Sequence, residues 1–141
     1  MSMHEQTERP PPDGMPRLAP YLLCQDVGAE IAFLAQAFGF HEREGQRHCD
    51  DEGRIRHAEV ALGDAVVLLG HPGAGYRNPR ASETRHGMLY VYVDDADTHH
   101  ERAAAAGADI VSPPEDAFYG DRRYAVRDPE GHEWWFASRR A

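Results

Sequence analysis

The sequence predicts an α+β fold made of two copies of one unit, in which a strand and a helix are followed by three more strands. Each half holds an apolar run that ends at an Asp, a helical stretch that ends at a Gly, and a later Gly that opens another apolar run. These landmarks recur 68 positions apart, as Asp26 and Asp94, Gly39 and Gly107, and Gly63 and Gly131. Such a repeat indicates one supersecondary unit used twice, and two units would enclose a site between them.

The first unit shows its helix and strands through the spacing of apolar residues. Ile31, Leu34 and Phe38 fall on one face of a helix, and Gly39 provides its end. Residues 55–62 alternate with the two-residue period of a half-buried strand, after turn-forming residues at 50–53. The predicted elements are a strand at 17–24, a helix at 27–38 and strands at 42–48, 55–62 and 65–69.

The second unit repeats this order after a connector that is rich in glycine, proline and charge. Its alanine-rich stretch is explained by helix formation and close packing on a sheet. The predicted elements are a strand at 88–93, a helix at 96–106 and strands at 110–112, 123–127 and 133–137. His99 and His100 lie in the middle of this helix, where we expect solvated side chains.

A chain of 141 residues suits a single domain with a real core. We expect that domain at 17–139, with module one at about 17–70, a linker at 71–85 and module two at about 86–139. Residues 1–16 are predicted to form a disordered tail, because prolines and charges dominate them and they bury little apolar surface.

Charge and cysteine content narrow the class of partner. With 24 acidic and 15 basic residues, the net charge of −9 disfavours binding to nucleic acid or to an anionic membrane. We therefore expect a small molecule or another protein chain as the partner. The two cysteines make no disulfide framework, and Cys24 is predicted to fill the core. Because no signal-like or bilayer-length apolar segment is present, the sequence predicts a cytoplasmic protein.

The order of motifs resembles the vicinal oxygen chelate superfamily. The motifs are Asp26-Val27 before one helix, Asp94-Asp95-Ala96 before the other, and Asp-Pro-Glu-Gly-His at 128–132 before the last strand. That superfamily includes glyoxalase I, extradiol dioxygenases, fosfomycin-modifying enzymes and bleomycin-binding resistance proteins, and residues 118–129 look like its glyoxalase or bleomycin-resistance-like subgroup. The resemblance implies two βαβββ half-barrel units that pair within a chain or across a homodimer to form a cavity.

The resemblance also implies where metal ligands would stand. By position they fall near Ala19 or Tyr21 on the first strand, at Val67 or Leu68 on the fourth, at about Met88 on the fifth and at Trp135 on the last. None is a His, Glu or Gln, whereas a divalent ion needs several oxygen or nitrogen donors that converge. We therefore expect neither a metal of this kind nor another cofactor, with a divalent metal as the alternative.

Strand periodicity selects the side chains that line the expected cavity. Leu89, Val91 and Val93 form one apolar set that suits packing against helices, so the alternate residues of this strand are predicted to face the cavity. On the strand at 55–62, Ala58 and Val60 belong to the helix side, so the alternate residues there also face the cavity. Trp135 is added from the position that the family resemblance implies, and Tyr21, Leu68 and Tyr124 are further additions. The predicted ligand-binding residues are therefore Tyr21, His57, Glu59, Leu68, Met88, Tyr90, Tyr92, Tyr124 and Trp135. Such an aromatic and apolar wall is typical of a small-molecule site, although the rings could instead fill a closed core.

His57 and Glu59 are the candidate catalytic residues, because they share a strand face where the carboxylate could raise the proton affinity of the imidazole. The alternative is an internal hydrogen-bonded pair or a salt bridge to Arg56, Arg123 or Arg127.

The sequence thus predicts a metal-independent protein that sequesters an aromatic or hydrophobic compound, such as an antibiotic, and whether it is an enzyme stays open. The alternatives are a glyoxalase-like lyase or other enzyme of the same fold, metal-dependent or using His57 and Glu59 as an acid–base pair, and a non-catalytic dimeric module with a closed cavity.

Overall fold

The computed structural model describes residues 11–12, 14–81 and 87–140. Most of the predicted tail at 1–16 and part of the predicted linker lie outside the described residues. The boundaries of the domain and its modules stay predictions.

Each half of the chain forms one mixed sheet. The first half contains β1 (Tyr21–Leu23), α1 (Val27–Phe33), a π-helical turn (Leu34–Phe38), β2 (His41–Glu42), β3 (His48–Cys49), β4 (Ile55–Leu62) and β5 (Ala65–Gly70). After a 3-10 turn (Pro79–Ala81), the second half contains β6 (Leu89–Tyr92), α2 (Ala96–Ala105), β7 (Asp109–Asp116), β8 (Asp121–Arg127) and β9 (Glu133–Arg139). The strand orders are β1-β5-β4-β2, with β3 also paired to β4, and β6-β9-β8-β7. Because β1 is parallel to β5 and β6 to β9, the predicted α+β fold of two βαβββ units is confirmed.

Two strands differ from the prediction. The polar strand expected at 42–48 is divided into β2 and β3 by a turn in which Gly45 has φ 77°. β7 is longer than expected because it continues through Pro113 and Pro114. Since proline offers no N–H to a ladder, the register of β7 with β8 is irregular, and β7 lies at the sheet edge.

The two helices begin at equivalent caps. Asp26 Oδ1 accepts a hydrogen bond from the Ala29 N–H at 3.0 Å, and Asp95 Oδ1 accepts one from the Thr98 N–H at 3.1 Å. The second cap is therefore Asp95 and not Asp94, so the segment from cap to terminal glycine is one residue longer in the first unit. The π-helical turn accommodates that residue, because each of its hydrogen bonds spans one more residue than in an α-helix.

The π-helical turn is held by α2. Arg102 donates to two backbone carbonyls of the turn, both at 3.2 Å. The ring of His99 has Nε2 2.9 Å from Phe38 O and Nδ1 2.6 Å from the Tyr124 hydroxyl. The prediction that His99 is solvated is therefore wrong, because α2 packs this side chain between the turn and β8.

The core lies between the helices and the sides of the two sheets that face them. The Phe38 ring centroid lies 5.4 Å from that of Trp134 and 4.8 Å from that of Phe136. The sets predicted to face the helices pack against this core, namely Ala58, Val60 and Leu62 with Leu89, Val91 and Val93. We call the opposite sides of the sheets, which carry the alternate residues of each strand, the outer faces. Among the described residues, no helix has the length and apolar composition needed to cross a membrane.

Candidate functional site

The outer face of the second sheet carries aromatic side chains around one buried carboxylate, Asp121. Its Oδ2 accepts hydrogen bonds from the hydroxyls of Tyr90 at 2.7 Å and Tyr92 at 2.8 Å, and Oδ1 accepts one from Arg139 at 2.9 Å. Asp121 is 0% exposed, whereas Tyr90 and Tyr92 are 37% and 59% exposed. The carboxylate therefore fixes both hydroxyls while the rings stay open. The ring-lined surface, as we call it, consists of Tyr90, Tyr92, Tyr119, Arg123 and Trp135 around Asp121.

The protonation of this group follows from its hydrogen bonds. Burial acts to raise the pKa of the Asp121 carboxyl, but hydrogen bonds from Tyr90, Tyr92 and Arg139 outweigh it and hold that pKa below its ordinary value. Burial, with hydrogen bonds to Tyr119 and Asp121, raises the pKa of Tyr90. At neutral pH the centre is therefore an ionised carboxylate surrounded by neutral phenols.

Arg123 adds a positive charge to the ring-lined surface. Its guanidinium carbon lies 4.4 Å from the Trp135 ring centroid and 5.6 Å from that of Tyr119. The indole N–H of Trp135 donates to Glu133 at 3.0 Å, which fixes the orientation of the ring. A guanidinium over the face of a tryptophan is a favourable cation–π arrangement, so Arg123 is held next to the rings.

The predicted pair of His57 and Glu59 lies on the outer face of the first sheet. His57 Nε2 is 3.4 Å from Glu59 Oε2, and His57 Nδ1 is 2.8 Å from the Tyr21 hydroxyl. Glu59 is buried and forms an ion pair with Arg43, not with any of the three arginines expected as partners. The arrangement is a short polar chain from Tyr21 through His57 and Glu59 to Arg43.

The predicted site residues therefore fall into two groups, one on each sheet. Within the described ranges, no hydrogen bond or ring contact joins the chain from Tyr21 to Arg43 with the ring-lined surface. A cleft of about 500 Å³ lies between residues 16–20, β5 and β6, and both Met88 and Tyr90 line it. Met88 is 55% exposed, and Leu68 is half-buried opposite Tyr21.

Tyr124 is a correction to the predicted set. It points to the helix side of β8, where it is fully buried and contacts His99 and the Phe136 ring. The alternation of β8 puts Arg123 and Ala125 on the outer face instead. Tyr124 is therefore a core residue.

The positions at which the resemblance implies metal ligands carry no carboxylate or imidazole. Tyr21 is opposite Leu68 in the pairing of β1 with β5, and Tyr90 is opposite Trp135 in the pairing of β6 with β9. Met88 precedes β6, with its side chain mostly exposed.

Asp121 and Arg139 organise the ring-lined surface but are not among the predicted site residues. Asp121 and Arg139 lie outside the strands predicted at 123–127 and 133–137, because β8 and β9 each extend two residues further. The two-residue period of β8 could have identified Asp121, because it lies two residues before Arg123 and so shares the same face of the strand.

Comparisons with known proteins identify the family and the fold. A sequence profile of the Glyoxalase/Bleomycin resistance protein/Dioxygenase superfamily matches residues 14–136. An uncharacterized protein of Mycobacterium bovis is 31% identical over 124 residues, which make up 84% of this chain and 80% of that protein.

Solved structures give the same result. TioX from Micromonospora sp. ML1 superposes with a TM-score of 0.71 at 33% identity, over 89% of this chain and 99% of TioX. The fosfomycin resistance protein FosX from Mesorhizobium loti shares the fold, with a TM-score of 0.62 at 18% identity over 87% of this chain and 91% of FosX. The fold, the sequence profile and these relatives together show that the chain belongs to the Glyoxalase/Bleomycin resistance protein/Dioxygenase superfamily, the vicinal oxygen chelate proteins.

Proposed function

We propose that the protein binds and sequesters an aromatic or hydrophobic small molecule, such as an antibiotic, without a metal ion in its ligand site. The observation that carries the proposal is the buried Asp121 carboxylate, which fixes the hydroxyls of Tyr90 and Tyr92 while both rings stay exposed. Rings that are already fixed supply a large contact area and lose little conformational freedom when a ligand covers them.

The charge beside the rings narrows the class of ligand. Arg123 lies over the Trp135 ring, and its guanidinium offers hydrogen-bond donors next to the aromatic contact area. A flat ligand with hydrogen-bond acceptors along one edge suits this combination, because it can cover the rings while it accepts from Arg123.

The cleft next to Tyr90 supports the same proposal. Its volume of about 500 Å³ falls within the range of about 300–1,000 Å³ that is typical of small-molecule sites. Leu18, Val66 and Met88 make much of its lining apolar. A ligand that lies on the ring-lined surface could extend an apolar group into this cleft.

The proposed ligand site needs no metal, because the positions at which the family resemblance implies metal ligands carry Tyr21, Leu68, Met88 and Trp135. These side chains offer few of the donors that a divalent ion needs.

We also propose a cytoplasmic homodimer. Tyr21, Leu23 and Met88 leave large apolar groups exposed in the single chain, and a second copy would cover them and close the ligand site. The two free cysteines fit a reducing compartment.

A thermal-shift screen with aromatic natural products, antibiotics included, tests the proposal, followed by calorimetric titration of the best ligand. Tyr90→Ala and Trp135→Ala should each abolish or strongly weaken binding, since each removes a ring from the surface. Val111→Ala is the matched control, because Val111 is exposed on the far edge strand of the same sheet, and it should bind as the wild type does. Undiminished binding in both ring variants would refute the site.

A second candidate function is catalysis by an enzyme of the same fold, and the chain of contacts from Tyr21 through His57 to Glu59 favours it. An imidazole held between a phenol and a carboxylate can relay a proton. Turnover of glyoxalase-type substrates, with and without added divalent ions, is the measurement. Activity that is lost in both His57→Gln and Glu59→Gln would support catalysis, and the absence of turnover would leave binding as the function.

A further inference from the structure

A second cluster of chemically active side chains lies in the interior, where the end of β1 meets the turn between β8 and β9. Ligand atoms of Cys24, Glu30 and His132 all lie within 4.8 Å of one another. Cys24 and Glu30 are fully buried and His132 is half-buried. The first two belong to the first half of the chain and the third to the second half. None of them contributes to the ring-lined surface.

Glu30 is the feature of this cluster that needs an explanation. Its side chain is 0% exposed, and no hydrogen-bond donor in the described part of the chain reaches either carboxylate oxygen. The neighbouring Asp128 already accepts from the His132 N–H at 3.0 Å and from the Trp134 indole at 2.8 Å. Two ionised carboxylates cannot hydrogen-bond to each other, so Asp128 offers Glu30 no donor unless one of the two carries a proton.

The surroundings of Glu30 are negative. Asp128 and Glu130 are buried beside it, and Glu130 accepts from the backbone N–H groups of Gln25 and Asp26 at 2.8 and 2.9 Å. No ion pair between described residues neutralises Glu30, Asp128 or Glu130. A buried group of this charge needs either a bound proton or a cation.

We propose that Cys24, Glu30 and His132 bind one divalent transition-metal ion of the zinc class. A thiolate, an imidazole and a carboxylate are the three ligand types that zinc uses in proteins, and a soft sulfur ligand disfavours magnesium and calcium. Zinc holds its ligands at about 2.0–2.3 Å, so a spread of 4.8 Å closes with small side-chain movements. The ion supplies the positive charge that Glu30 lacks, and it stabilises the thiolate form of Cys24.

The role of this ion is structural. Cys24 follows β1 and Glu30 lies in α1, whereas His132 follows the turn that leads to β9. Hydrogen bonds already join these segments, including one from His132 Nε2 to Leu23 O at 3.1 Å. A metal bound there would join the two βαβββ units through side chains about 100 residues apart in sequence. The site is separate from the outer-face positions at which the family resemblance implies ligands.

The test uses the untagged full-length chain, stripped with a chelator and titrated with Co²⁺ and then Zn²⁺. One equivalent of Co²⁺ should give a thiolate-to-metal charge-transfer absorption, and Zn²⁺ should displace it and raise the melting temperature. Cys24→Ser should lose the absorption, whereas the matched control Cys49→Ser should keep it, because Cys49 is the exposed second cysteine. Loss of outer-shell partners costs metal sites about 10–100-fold in affinity, so Glu30→Gln and His132→Gln should cost at least as much.

Each outcome of this experiment either supports or overturns the metal site. If Cys24→Ser does not fold, the Cys49→Ser protein still settles the point, because its one remaining thiol is Cys24. No charge-transfer absorption in Cys49→Ser, or equal Zn²⁺ affinity in wild type, Glu30→Gln and His132→Gln, would overturn the proposal. Ligand binding at the ring-lined surface should persist in the metal-free protein, so failure of this inference and failure of the proposed function are distinguishable.

Discussion

His99 shows how one half-buried side chain connects the two halves of the molecule. It lies in α2, yet its ring nitrogens contact Phe38 O in the π-helical turn and the Tyr124 hydroxyl on β8. Its ring also lies 4.1 Å from that of Phe136, centroid to centroid. Burial lowers the pKa of His99; the hydrogen bond to Phe38 opposes this shift and the charge of Arg102 adds to it.

This lowered pKa predicts a pH dependence of stability. Below about pH 6.5 the unfolded chain takes up a proton at His99 that the folded chain does not bind, so the free energy of unfolding should fall as the pH decreases from about 7 to 5. His99→Gln should be less stable at pH 7 because it loses packing, but its stability should vary less with pH in this window. Urea unfolding at several pH values measures both effects.

His41→Gln is the control, because His41 is exposed on β2. It should keep the wild-type slope of stability against pH. A slope in His99→Gln as steep as that of the wild type would assign the pH dependence to other groups.

The helix caps are where the repeat is most regular at the level of elements. Asp26 and Asp95 each accept a hydrogen bond from the backbone N–H three residues later. The loss of such a cap typically costs about 0.5–2 kcal/mol. Asp26→Ala and Asp95→Ala should therefore each lower the free energy of unfolding by about 1 kcal/mol, as measured by chemical denaturation.

Asp94→Ala tests the assignment of the second cap. The sequence repeat pairs Asp94 with Asp26, but the hydrogen bond to Thr98 comes from Asp95. Asp94 is exposed, so its substitution should change stability by no more than about 0.5 kcal/mol. A larger loss in Asp94→Ala than in Asp95→Ala would contradict the assignment.

The turns before β5 and β9 differ in what surrounds their glycines. Gly63 has φ 57° and open space where a Cβ would stand, whereas Gly131 has φ 93° and a Cβ there would lie 2.7 Å from the Arg80 Cα. A left-handed residue with a side chain costs about 1–2 kcal/mol. Gly63→Ala should show that cost, and Gly131→Ala should lose more because the backbone at Arg80 must also move. Equal losses in thermal unfolding would mean that the Arg80 segment yields freely.

The fold as a whole was predictable from the sequence because its signals are local. The repeated landmarks and the two-residue period set the order of elements and the sides of β4 and β6 that face the helices, and Val60 and Val91 lie where predicted. The predictions that were wrong concern residues whose surroundings depend on packing between elements. His99 was predicted to be solvated and Tyr124 to line the ligand cavity. Instead, α2 packs against the π-helical turn and β8, which no local pattern reveals.

The candidate site was predictable only in part for the same reason. Tyr90, Tyr92 and Trp135 lie together on one outer face, as the alternation of their strands implies. Asp121, which organises them, lies before the predicted start of its strand. His132 is about 100 residues from Cys24 and Glu30 in sequence, so its approach to them depends on how the two units pack. The ligand and its chemistry stay predictions.

The association of two chains is the last prediction, and it concerns the apolar groups that one chain leaves exposed. Leu23 lies on β1, an edge strand of the first sheet, and Met88 directly precedes β6, an edge strand of the second; they are 40% and 55% exposed. Burial of apolar surface contributes about 25 cal/mol per Å², so a second copy that covers them gains stability. The wild type should sediment as a dimer, and Met88→Glu should shift the equilibrium to the monomer, because a charge there would lose its water on association. Val111→Glu, exposed on the far edge strand β7, should remain dimeric. A wild type that sediments as a monomer at all concentrations would contradict the homodimer, and Met88→Glu that remains dimeric would place the interface elsewhere.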